Sequence, residues 1–179
     1  NGYESLYANT TGSSNIAIGY RAMVLNVSGN RNTAVGQESL YSNTSGNYNI
    51  AIGYRSLFDN TTGSYNTASG YQALSNNTDG DQNSAFGNSA LLSNVGGTEN
   101  VAVGHQSLYS NTSGNFNSAL GASALYSNTT GSRNSSFGNE ALYSNTTGSN
   151  NSAFGANSLR SNSTGSELTA FGYQALYSN

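Results

Sequence analysis

The sequence contains no cysteine, proline, tryptophan or lysine. Without cysteine no disulfide can staple the chain, and without lysine its recurrent glycines cannot be a P-loop, which needs Lys after the second Gly. Charge is scarce. Five Arg and eight acidic residues make up 7% of 179 residues and leave a net charge of −3. That excludes a charged disordered tail and leaves no basic surface to neutralise nucleic-acid phosphates or anionic lipid. Long apolar runs are missing too. The longest, such as Ala22-Met23-Val24-Leu25, fall far short of the roughly 20 residues a membrane-spanning helix requires. Neither nucleic acid nor membrane insertion is therefore expected of this segment, and the composition is not that of an ordinary globular enzyme.

What is present is repetition. The chain holds 22 Gly and 13 Tyr, with 35% hydrophobic residues, arranged with a period of 17 and no slip of register. Taking Asn15 as place 1, Asn recurs at that place through Asn151, with Leu168 the single departure. Place 3 is Ala except at Ser136, place 5 is always Gly, and place 9 is Leu except at Met23. Place 12 is Asn from Asn9 to Asn179, and place 15 is Gly in every copy that reaches it. The consensus is N-[ST]-A-[VIF]-G-Y-Q-[AS]-L-Y-S-N-T-[TS]-G-S-x. The 179 residues amount to ten such units and nine residues over, so the chain reads as a piece of a longer array, one single solenoid domain over residues 1–179.

Two fixed glycines per 17 residues depress helix propensity, and helix-pair repeats run about 33 to 47 residues. The expected fold is therefore all-β: a parallel β-solenoid, or β-roll, with one repeat per coil. Places 2 to 4 and 7 to 10 are the expected strands, Gly at place 5 the corner, and S-N-T-[TS]-G-S the turn to the next coil. At about 4.8 Å per coil the array forms a rod of roughly 50 Å.

Side chains alternate along a strand, so place 4 points opposite to the Ala of place 3. With Ala and the place-9 Leu inside, Ile18, Val35, Ile52, Phe86, Val103, Leu120, Phe137, Phe154 and Phe171 form an outward apolar stripe interrupted by Ser69. Such a stripe is an exposed patch of the kind monomers avoid, which makes these residues candidates for an oligomer interface. The inverse assignment, place 4 inside and Ala outside, would remove the stripe. Burying one Leu and one Ala per coil does not cover the entropy of ordering 17 residues, and this favours several chains packed through place 4.

Asn stacked on Asn at place 12 is expected to form an amide ladder along the rod. A competing role is N-glycosylation, because Asn9, Asn26, Asn43, Asn60, Asn111, Asn128, Asn145 and Asn162 lie in N-x-[ST] sequons. Sugars one strand spacing apart would crowd each other.

The runs Asn32-Thr33-Ala34-Val35-Gly36, Asn49-Ile50-Ala51-Ile52-Gly53 and Asn100-Val101-Ala102-Val103-Gly104 resemble the [SN]-x-A-[IV]-G signature of head repeats in YadA-like trimeric autotransporter adhesins. The phrase Ala124-Leu125-Tyr126-Ser127-Asn128-Thr129-Thr130-Gly131-Ser132 is similar to arrays in phage tail-fibre and bacterial surface proteins. The resemblance implies a left-handed β-roll, a side-by-side homotrimer, attachment to a host-surface receptor or glycan, and an extracellular place on a cell or virion. The 17-residue unit is longer than the usual head repeat.

No catalytic, metal or cofactor residues are expected. The single histidine, His105, falls at variable place 6; Asp79 and Asp81, the one close acidic pair, flank Gly80 in one turn; and the five Arg make no stripe. Two classes of function remain. One is a non-catalytic fibre segment or attachment head, with Tyr7, Tyr41, Tyr109, Tyr126, Tyr143 and Tyr177 of place 10 as a contact row. The alternative is an ice-binding solenoid that uses the place-13 row Thr10, Thr44, Thr61, Thr78, Thr112, Thr129 and Thr146, broken by Val27, Val95 and Ser163.

Overall fold

A computed structural model of the chain describes residues 2–178, so the place-12 residue Asn179 lies outside the described part. Ten three-residue strands follow one another: β1 (Ile16–Ile18), β2 (Thr33–Val35), β3 (Ile50–Ile52), β4 (Thr67–Ser69), β5 (Ser84–Phe86), β6 (Val101–Val103), β7 (Ser118–Leu120), β8 (Ser135–Phe137), β9 (Ser152–Phe154) and β10 (Thr169–Phe171). They form one parallel sheet in chain order. Each strand pairs with its copy in the next coil, Ala17 opposite Ala34 and Ala34 opposite Ala51, without a register shift to the end. No helix occurs among the described residues. The fold is an all-β parallel solenoid with one 17-residue repeat per coil.

The alternation at places 2 to 4 settles the inside of the coil. The middle residue of every strand is buried and its two neighbours are not. Ala at place 3, Ala or Ser at place 8 and Leu at place 9 fill a thin core, in which Leu40 through Leu159 are wholly buried. Place 3 takes only Ala or, once, the buried Ser136, whose Oγ donates to the Ala141 carbonyl at 2.7 Å, because the place-9 Leu column shares the same thin core. The serines that replace Ala at place 8 stay satisfied: Ser56 Oγ donates to the Gly53 carbonyl at 3.1 Å, and Ser107 Oγ to that of Gly104 at 3.1 Å.

The second expected strand, places 7 to 10, is not one. That segment is a run of turns in which places 7 and 9 adopt positive φ in every described coil, as at Gln106 (φ 53) and Leu108 (φ 53). The reason is side-chain direction. A pleated strand sends neighbouring residues to opposite faces, yet places 8 and 9 are both buried. A left-handed residue on either side of place 8 turns both inward. The backbone still bonds to both neighbouring coils: Arg55 N–H donates back to Gln37 C=O at 3.1 Å, while Leu57 N–H donates forward to Ala73 C=O at 3.1 Å.

A third left-handed position recurs at place 17, where Glu99 has φ 55 and an exposed side chain. A non-glycine residue there costs about 1–2 kcal/mol, partly offset in a glycine variant by greater freedom when unfolded. Glu99→Gly is therefore expected to raise stability by about 0.5–1 kcal/mol, read as an upward shift in the thermal midpoint; a downward shift would contradict this account of the turn.

Candidate interaction surface

The coil interior carries two amide ladders. At place 12 each Asn Nδ2 from Asn26 to Asn162 donates to the Asn Oδ1 of the preceding coil and to the Gly carbonyl three residues on; for Asn111 these distances are 2.8 Å to Asn94 and 3.0 Å to Gly114. At place 1 the Oδ1 of Asn83 accepts the backbone N–H of Asn100 at 3.0 Å, while Asn100 Nδ2 donates to the Gly114 carbonyl at 2.9 Å. Both ladders converge on the same glycine oxygen, and the place-1 and place-12 Asn of the inner coils are buried. The place-1 ladder carries a role that reading for motifs passed over, although its signal was plain: Asn in nine of ten copies. The sequon nitrogens of place 12 from Asn26 to Asn162 thus sit inside the rod with their hydrogens committed, while Asn9 is half-buried and its Nδ2 donates to the Gly12 carbonyl alone.

Outside, the sheet presents places 2 and 4. Ile18, Ile52, Phe86, Val103, Leu120 and Phe171 are exposed, and Val35, Phe137 and Phe154 partly so. Phe137, Phe154 and Phe171 stack with centroids 4.8 and 4.6 Å apart. Their neighbours at place 2 vary in a correlated way. Where place 4 is Phe or Leu, place 2 is Ser or Thr, as in Ser84 with Phe86 and Ser118 with Leu120; where place 2 is Ile or Val, place 4 is Ile or Val, as in Ile16 with Ile18 and Val101 with Val103. Large side chains are paired with small ones and medium with medium in every strand but β4, where Thr67 and Ser69 are both small and polar. The outer layer therefore keeps a more even thickness than either place alone.

The turn faces carry aromatic and charged rows. Tyr109, Tyr126 and Tyr143 of place 10 stack at 5.0 and 5.1 Å with nearly parallel planes. Burial, and then the neighbouring Tyr109 and Tyr143, push the Tyr126 phenol above its ordinary pKa. Rings stacked this way present their edges outward, and the cation of Arg160 lies 4.9 Å from the Tyr143 centroid. Every Arg sits over a ring: Arg21 over Tyr41, Arg31 over Tyr48, Arg55 over Phe58, Arg133 over Phe116 and Arg160 over Tyr143. Place 7 reads Glu4, Arg21, Glu38, Arg55 in successive coils. Charges of opposite sign are thereby stacked, with ion pairs of 3.1 Å (Arg21–Glu4) and 2.6 Å (Arg55–Glu38), and Arg160 pairs with Glu140 at 2.7 Å. The Glu38 bond holds the Arg55 guanidinium above its usual pKa. The arginines make no stripe by type; they belong to rows of alternating charge and aromatic rings.

The remaining sequence candidates fall as follows. His105 is exposed at place 6. Asp81 takes part in a place-16 ladder of acceptors, its Oδ1 receiving the Ser64 N–H at 2.7 Å as Asn115 Oδ1 receives that of Thr98 at 2.7 Å. Asp79 is exposed, with Thr78 Oγ1 donating to it at 3.3 Å. The place-13 threonines lie in bends rather than on strands, and their hydroxyls donate to the carbonyl of the next coil, Thr61 to Thr78 at 2.9 Å and Thr129 to Thr146 at 3.1 Å. Among the described residues there is no enclosed cavity, no cluster of three or more metal-ligating side chains, and no helix long and apolar enough to cross a membrane.

No family model, curated protein or solved structure matches the chain.

Proposed function

We propose that this chain is a non-catalytic segment of an extracellular fibre, a rigid spacer or attachment head of the kind carried by trimeric adhesins and phage tail fibres, with three copies packed side by side through the outer sheet face. The observation that supports this reading most directly is the apolar, size-compensated layer of places 2 and 4. Solvent exerts no pressure to match a Phe with a Ser beside it, whereas a close-packed neighbour does, because overfilled and underfilled sites both cost stability. The face is about 45 Å long and 10 Å wide, on the order of 450 Å², from strand spacing and rise. The place-4 row, apolar in nine of ten strands and broken at Ser69, supplies most of the apolar part of that face, and an exposed row of this kind marks an interaction site on a soluble protein.

The test is sedimentation equilibrium on the wild type and on the double variant Phe137→Asp, Phe154→Asp. Each added carboxylate would be desolvated in a packed face without a partner, at a cost of several kcal/mol. Expected is a wild-type mass three times that of the chain and a monomeric variant with unchanged far-UV circular dichroism. A monomeric wild type, or an unchanged variant mass, overturns the packing through place 4. Thermal hysteresis in dilute wild-type solution would instead support the ice-binding alternative; the fibre reading expects none.

A further inference from the structure

The fold divides the sequons of this chain into two classes, and it closes the ones that the repeat makes conspicuous. Eleven N-x-[ST] sequons occur: the eight at place 12, and those of Asn76 (Asn-Asn-Thr), Asn134 (Asn-Ser-Ser) and Asn150 (Asn-Asn-Ser). In place-12 residues such as Asn60 and Asn128, Nδ2 is buried and donates to two oxygens, one in the preceding coil and one on the Gly of its own. Asn134 is buried likewise, its Nδ2 bonded to Asn117 Oδ1 at 3.2 Å and to Gly148 O at 2.9 Å. A sugar on any of these nitrogens has no space inside a coil this thin, and it removes a hydrogen from a ladder that uses both. The fold and such a glycan exclude one another.

Asn76 and Asn150 are different. Both are exposed, in turn and bend segments, and neither side-chain amide makes a hydrogen bond. They differ from their repeat-mates by irregularity alone: Asn76 stands at place 11, where Ser is usual, and Asn150 at the variable place 17. Four coils separate them, about 20 Å along the rod, so two glycans there do not crowd each other as sugars on adjacent coils would.

We infer that Asn76 and Asn150 are N-glycan acceptor sites of the folded chain and that its eight buried sequons, Asn134 and those of place 12 from Asn26 to Asn162, are not. The donor is an oligosaccharyl pyrophosphoryl lipid and the catalyst an oligosaccharyltransferase. The bond formed joins Asn Nδ2 to the anomeric carbon; the bond broken joins that carbon to pyrophosphate oxygen, which leaves with the electron pair, and Nδ2 gives one proton to a base of the transferase. The inference rests on the extracellular route proposed above and is independent of the number of chains.

The full 179-residue chain, secreted behind a leader through a glycosylating eukaryotic host, is separated into a folded, protease-resistant fraction and an aggregated one. Glycans are released with an amidase in H₂¹⁸O, and the Asp residues this marks are mapped by mass spectrometry. Expected in the folded fraction are marks at Asn76 and Asn150 and none at the eight buried sequons, and loss of the two marks in Asn76→Gln, Asn150→Gln with the folded yield retained. A mark at Asn134 or at any place-12 Asn from Asn26 to Asn162 in the folded fraction overturns the inference, and so does a folded fraction with no mark at Asn76 or Asn150. Because the host and route are imposed, such a failure is distinct from failure of the fibre reading, which sedimentation decides separately.

Discussion

Gly114→Ala is expected to destabilise the chain by about 4 kcal/mol or more, while Gly96→Ala changes it by less than about 0.5 kcal/mol. The two glycines look equivalent as composition, and the difference is one of placement. A Cβ on Gly114 would lie 2.3 Å from the Gly131 carbonyl oxygen, 2.5 Å from Asn111 Oδ1 and 3.0 Å from Asn128 Nδ2. Two of those atoms belong to the place-12 ladder and the third is the backbone of the next coil, so none can withdraw without breaking hydrogen bonds on both sides. Overpacking of an adaptable core costs about 1–3 kcal/mol; here the obstacle is backbone, and the loss of ladder bonds adds to it. A Cβ on Gly96 meets one atom nearby, the exposed Asp79 Oδ1 at 3.0 Å, which can swing away. Denaturant unfolding of the two variants checks the contrast. Similar midpoints would refute the reading of place 15 as a position closed to any side chain. Since each coil contacts only its neighbours, new protease cleavage in Gly114→Ala is expected to begin near residues 111–114.

Asn111→Leu is expected to cost about 3–5 kcal/mol, despite the same branched heavy-atom skeleton and greater hydrophobicity, because it strands buried polar groups at roughly 1–3 kcal/mol each and its methyls are bulkier than the amide they replace. Asn94 Oδ1 loses its donor at 2.8 Å and Asn128 Nδ2 loses its acceptor at 2.9 Å. The Gly114 oxygen keeps the Asn100 bond at 2.9 Å. Asn111→Asp separates hydrogen bonding from shape. Its carboxylate would be buried against two acceptors, Asn94 Oδ1 and the Gly114 oxygen, with one remaining donor. Desolvation and those neighbours both raise its pKa in the folded state above the unfolded value. A raised folded pKa gives stability that is fully present below the unfolded pKa and is lost as pH rises through the folded one. The thermal midpoint of Asn111→Asp, relative to wild type, should therefore climb as pH is lowered from 7 to 4. A flat difference over that range would mean that the ladder contributes little.

Much of the fold was legible because repetition averages out the ambiguity of a single copy. One Asn-x-Ala-x-Gly stretch could be a loop in any protein; ten in register demand that each coil stack on its twin. The exclusion of helix, the burial of Ala17, Ala34 and their mates, the outward stripe from Ile18 to Phe171, and the glycine corner all followed from period and alternation. Places 7 to 10 did not. The place-10 Tyr suits a strand by propensity, and only the need to bury both place 8 and place 9 shows that the backbone must instead pass through left-handed residues at Gln106 and Leu108. The small-then-Leu pair, which sets an Ala or a small Ser directly beside the inward Leu, was the available clue. The sequons illustrate the reverse error: Asn76 and Asn150 drew no notice because they break the pattern, whereas the place-12 motifs stood out because they follow it.

The sequence by itself determined the architecture, since side-chain period and glycine placement are properties of the local chain, and recurrence every 17 residues converts each local preference into a stacked row. The tertiary structure decided what those rows do. Whether an Asn nitrogen faces a carbonyl or solvent, whether Glu38 reaches Arg55, and whether Ser64 finds Asp81 depend on residues 17 positions apart being brought within about 5 Å of each other by the coil. That closeness belongs to the closed coil and to no stretch of sequence, so the sealed amides, the paired charges and the evenly filled outer face became visible only when the chain was wound.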